Sequence, residues 1–106
     1  IDIKKGVEVH SKNFDFEFIH IINCAKLAGE KEFFTDGKLW ITSLSDGTHL
    51  PRSLHYKGRA VDFRIRNFIS IEKRKEWEDR MRFLLGSGYQ LIFETNHYHC
   101  EHDPRV

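Results

Sequence analysis

Apolar positions recur with two different periods along this chain, and the changes of period mark out its elements. Phe18, Ile21, Ile22 and Ala25 fall at i, i+3, i+4 and i+7, one face of a helix spanning residues 14–28. Asn13 stands where an N-cap belongs and Gly29 where a helix stops. A second helix runs from Ser70 to about Leu85, with Trp77, Met81, Leu84 and Leu85 as its apolar stripe and Gly86 or Gly88 at its end. Its other face (Glu72, Lys73, Lys75, Glu76, Asp79) is solvated.

Elsewhere the period is two. From Ala60 to Arg66, Val61, Phe63 and Ile65 point one way and Ala60, Asp62, Arg64 and Arg66 the other, which is a half-buried strand. Tyr89 to Glu94 and His97 to Glu101 read as two strands joined at Thr95-Asn96, a hairpin. In the second of these, His97, His99 and Glu101 share one face, and Tyr98 and Cys100 the other. Leu39 to Thr42 reads as a buried strand, preceded by the turn signal Asp36-Gly37 and followed by a loop from Ser43 to Pro51. Residues 1–12, with the short alternation Val7-Glu8-Val9-His10, read as a loop or a short edge strand. The pattern predicts an α+β fold in which two helices pack on a small, mainly antiparallel sheet, with residues 1–106 forming one domain.

Composition narrows the functions open to such a domain. A net charge of +1 gives no field that would draw nucleic acid. No apolar run approaches the length of a membrane span. Two cysteines, Cys24 and Cys100, make no disulfide framework; Cys24 sits in an apolar helical run as a small hydrophobe. No signal peptide is visible, and the start at Ile1 rather than Met fits a trimmed or excised domain. The chain is read as a monomer. Its seven histidines are unusual, because five of them (His49, His55, His97, His99, His102) lie in or beside two short clusters.

Those clusters carry the chemistry. His55 and Asp62 flank Gly58, where the chain can turn, and Asp62 falls on the strand face opposite the core. Together with one of His97 or His99 they supply the imidazole and carboxylate donors of a three-ligand zinc site, whose fourth position is left for water. The bland readings are a surface-loop histidine for His55 and an ion pair with Arg59 or Arg64 for Asp62. A hydrolytic zinc site needs a base as well. Glu94 is the first candidate, with His97 and His49 the others; a solvated strand end and an exposed loop histidine are the plain alternatives for Glu94 and His49. Arg52 can pair with a substrate carboxylate or stand as an exposed loop arginine. Cys100 points away from the histidines and is rejected as a ligand. Trp40 and Trp77 read as core, and His102 and Asp103 as solvent-exposed.

Ser53, His55, Gly58, Ala60 and Asp62 fill the pattern Ser-x-His-x-x-Gly-x-Ala-x-Asp. In this the chain resembles the zinc domain shared by D-alanyl-D-alanine carboxypeptidases and dipeptidases, phage endolysin peptidases and the hedgehog signalling domain. It is closer still to hedgehog in Ser53-Leu54-His55-Tyr56-Lys57-Gly58-Arg59-Ala60-Val61-Asp62 and in Glu94 followed by His97-Tyr98-His99-Cys100. The resemblance covers roughly residues 38 to 101. It implies zinc as cofactor, with His55, Asp62 and His99 as ligands, Glu94 in the base position and His49 lining the site. The peptidases place an acid three residues before the last ligand, where this chain has Asn96, so Glu94 and His97 both stay open as base. Arg52 and Ser53 are the substrate-facing candidates. The loop before the motif keeps one acid, Asp46, so no hedgehog-like calcium site is expected. The resemblance implies a peptidase of peptidoglycan stem peptides, cutting at D-Ala-D-Ala or a related bond, in a bacterial cell envelope or encoded by a phage. The alternative it implies is a non-catalytic, zinc-stabilised binding module of the hedgehog kind.

Overall fold

Trp77 sits with none of its surface exposed at the meeting point of both helices and the sheet, in a computed structural model that describes residues 2–3, 16–45 and 60–103. Among the described residues the elements are β1 (Asp2–Ile3), α1 (Phe16–Ala28), β2 (Trp40–Ser45), β3 (Ala60–Arg64), α2 (Ile71–Leu85), β4 (Tyr89–Glu94) and β5 (His97–His102), with a 3₁₀ turn at Lys31–Phe33. The sheet order is β1-β2-β3-β5-β4. Only the edge pair β1–β2 is parallel; every other pair is antiparallel. This is the expected α+β class.

Both helices cover one face of the sheet, because each has one apolar stripe to bury. Phe18, Ile21 and Ala25 of α1 and Trp77, Met81 and Leu85 of α2 join Ile41, Val61, Phe63, Leu91, Tyr98 and Cys100 in one core. The indole N–H of Trp77 donates to the carbonyl of Ala25 at 3.0 Å, which ties α2 to α1. The same ring packs on Phe63, Phe68 and Tyr98, with centroids 5.6, 5.6 and 5.0 Å away. Gly29 ends α1 and also makes room for this ring: a Cβ there would lie 2.9 Å from Trp77 Cδ1. Ser70 caps α2 by accepting from the Lys73 N–H, and Gly86, with φ of 78°, closes it. No helix among the described residues is long and apolar enough to cross a membrane.

Four expectations change. β2 runs on to Ser45, so Ser43, Leu44 and Ser45 pair with β3 rather than opening a loop. β3 stops at Arg64, so Ile65 lies beyond the strand and is half-buried. Trp40 is half-buried rather than core, with its indole N–H on Asp36 Oδ2 at 2.7 Å. His102 and Asp103 are not exposed: β5 extends to pair His102, which is half-buried, with Tyr89, and Asp103 is 7% exposed, its N–H bonded to the Gly88 carbonyl. The expected N-cap Asn13 and the alternation at Val7 to His10 lie outside the described residues.

Replacing Trp77 with Phe removes the indole hydrogen bond and opens a gap beneath Gly29. We expect a loss of about 2–3 kcal/mol in unfolding free energy, read from urea denaturation.

Candidate metal centre

The helix-free face of the sheet owes its polar character to what is buried behind it. Val61 and Phe63 of β3 and Tyr98 and Cys100 of β5 are wholly buried. The alternation then fixes Asp62 on the opposite face of β3, and His97, His99 and Glu101 on the opposite face of β5. Register does the rest: Asp62 stands directly across from His99, Arg64 across from His97, and Glu94 of β4 across from His97.

The contacts form one continuous line. Asp62 Oδ1 accepts from His99 Nδ1 at 2.7 Å. Asp62 Oδ2 lies 3.7 Å from His97 Nε2, and Glu94 Oε1 lies 3.7 Å from the same nitrogen. On the far side, Glu101 Oε2 lies 3.7 Å from His99 Nε2. Asn96, at the hairpin turn, accepts from His97 Nδ1 through its side-chain oxygen. The Asp62 and His99 side chains are 23% and 24% exposed, whereas Glu94 is 46% exposed and stands at the solvent rim. Arg64 does not pair with Asp62; its guanidinium lies 4.9 Å over the Trp40 ring.

This arrangement distinguishes between the two histidines. His99 has a ring nitrogen on Asp62, so a cation reaching one of these donors reaches both. His97 has Nδ1 engaged by Asn96 and Nε2 turned between Asp62 and Glu94, which suits it to a role beside a base. A carboxylate oxygen next to an imidazole nitrogen is a donor pair that fits Zn²⁺. The described residues hold two of the three expected ligands, and no group of three His, Cys, Asp or Glu among them is disposed to hold a metal ion. His55, the third expected ligand, lies outside the described residues, as do His49, Arg52, Ser53, Arg59 and Asp46. Cys100 is buried in the core on the other face, and burial pushes its thiol far above the ordinary range.

Two contacts of this face had no place in the sequence reading. Glu101 was visible on the histidine face by its period, but its reach to His99 depends on side-chain conformation. The stacking of Arg64 on Trp40 depends on the pairing of β2 with β3, which no local pattern specifies. Compared with models of known protein families, with curated proteins and with solved structures, the chain has no match.

The hydrogen bond to Asp62 raises the pKa of His99 above the ordinary histidine value; burial opposes the rise, and the charges of Asp62, Glu101 and Glu94 add to it. A raised pKa means that the folded state binds the proton more tightly than the unfolded chain. The associated stability is therefore fully present below the unfolded histidine pKa and is lost as pH rises through the folded one. In metal-stripped protein, an NMR titration of His99 should give a midpoint above that of a free histidine. Asp62→Asn should bring that midpoint down.

Proposed function

We propose that this chain is a zinc peptidase acting on peptidoglycan stem peptides, at a D-Ala-D-Ala or related bond. The observation that carries the reading is the contact of Asp62 with His99 on the open sheet face, with the exposed Glu94 one histidine away. It is supported by the complete motif from Ser53 to Asp62, which supplies His55 as the remaining ligand. Zn²⁺ bound by His55, Asp62 and His99 would polarise the scissile carbonyl and make water a stronger acid.

The chain's own residues do the rest. Glu94 is open to solvent at the rim, so it takes the proton of the attacking water and delivers it to the leaving amine. His97, 3.7 Å from both Glu94 and Asp62, holds the Glu94 carboxylate toward the site. Asn96 fixes the ring of His97 from the hairpin turn. Arg52 and Ser53 face the substrate in this reading. The enzyme acts as a monomer, in the cell envelope of a bacterium or on behalf of a phage.

Incubation with purified peptidoglycan and synthetic stem peptides, followed by mass spectrometry, tests the proposal. We expect release of D-Ala or of one defined peptide, abolished by a chelator and restored by zinc. Glu94→Gln should keep about one equivalent of zinc and lose 10²–10⁴-fold in rate, the range for a general base. A wild-type protein that holds zinc and cleaves none of these substrates is instead a zinc-stabilised binding module.

A further inference from the structure

We propose that Arg64, held flat on Trp40, forms a carboxylate-binding subsite beside the metal centre and takes an acidic group of the peptide. The proposal rests on the peptidase reading above. Ile41 of β2 pairs with Phe63 of β3, and both are buried. Trp40 and Arg64, next along each strand, therefore come side by side on the open face. The guanidinium lies 4.9 Å over the indole ring, within the range of a cation–π contact. Arg64 also stands two residues from Asp62 on the same face of β3, directly across from His97 on β5.

An arginine beside an acid ordinarily pairs with it, and here two acids near Arg64 are engaged elsewhere. Asp62 accepts from His99. Asp36, which meets the Trp40 indole N–H, also accepts from the Asn67 side chain and the Lys38 N–H. Arg64 itself is half-buried and makes no ion pair among the described residues. Stacking uses the face of the guanidinium and leaves its edge, where the N–H groups point, for a ligand. A carboxylate matches that edge, accepting two parallel hydrogen bonds. Because the indole already fixes the plane, little freedom is lost when the acid binds. Two residues along a strand cover about 6.6 Å, and one residue of an extended peptide spans up to about 3.6 Å. The acid read at Arg64 thus lies one or two residues from the bond held at Asp62. Two groups meet this chemistry: a free C-terminus just beyond the scissile bond, or an acidic side chain next to it.

The test compares the steady-state kinetics of zinc-loaded wild type and Arg64→Met on two matched pairs of stem peptides. One pair differs at the C-terminus, free acid against amide. The other differs in the side chain next to the scissile bond, glutamate against glutamine. We expect the wild type to favour the acid of one pair roughly 10–100-fold in kcat/KM, the contribution of a charge-assisted hydrogen bond, mainly through KM. Arg64→Met keeps an apolar stem on Trp40 and removes the donors, so it should erase that preference without changing zinc content. Arg64→Lys, which has the charge but not the fork, should keep part of it. The pair that responds names the source of the carboxylate. If Arg64→Met fails to fold, Arg64→Gln takes its place with the same expectation. A preference that survives in the variant, or none in either pair, overturns the proposal and leaves the peptidase reading standing. A wild type that cleaves none of the four peptides overturns both.

Discussion

The position of Trp77 constrains everything else. Its ring is wholly buried, its N–H is held by a carbonyl of α1, and its faces and edges meet Phe63 and Tyr98. Phe63 directly follows Asp62, and Tyr98 lies between His97 and His99. The indole therefore presses from below on the two strands that carry the polar line above. A buried ring leaves these strands no freedom to slip, since a shift of one residue would turn Phe63 and Tyr98 out and Asp62 and His99 in. Core packing and site geometry are in this sense one constraint seen from two faces.

A polar network reinforces it. Tyr98 donates its hydroxyl proton to Glu78 and accepts from Arg74, both at 2.7 Å. Burial and the hydrogen bond to Glu78 hold the phenol well above its ordinary pKa. Its polar tip is thereby satisfied within the α2 side of the core, as a buried hydroxyl requires. The rigidity of β5 comes from this side, while the opposite side of the same strand stays polar and half-open. A strand pinned through every second residue gives a site precision that a loop would not.

How much of this was legible depended on whether the signal was local. The stripe Trp77, Met81, Leu85 and the alternation Val61, Asp62, Phe63 are periods that any window reveals, and both hold in the structure. The face shared by His97, His99 and Glu101 came from the same rule. Register did not: that Asp62 stands across from His99, rather than from His97, follows from pairing between strands 37 residues apart in sequence. The burial of Asp103 was missed for a related reason, since it depends on the Gly88 carbonyl and on the length to which β5 pairs with β4. Trp40 was read by residue type as core, but it lies near a sheet edge, where Asp36 and Arg64 take its two polar opportunities. His55 and His49 rest on the sequence motif alone.

The charge balance of the open face bears on the metal site proposed there. Asp62, Glu94 and Glu101 all lie within 3.7 Å of His97 or His99. Carboxylates gathered around an imidazole favour its charged form. The hydrogen bond to Asp62 is the main reason the pKa of His99 rises, and the nearby carboxylate charges add to it. In the proposed zinc site, a divalent ion would take the place of the proton at the nitrogen that meets Asp62. The raised affinity for the proton and the proposed affinity for metal would then share one carboxylate, that of Asp62. The fold holds that carboxylate in place by burying Val61, Phe63, Tyr98 and Cys100 beneath it.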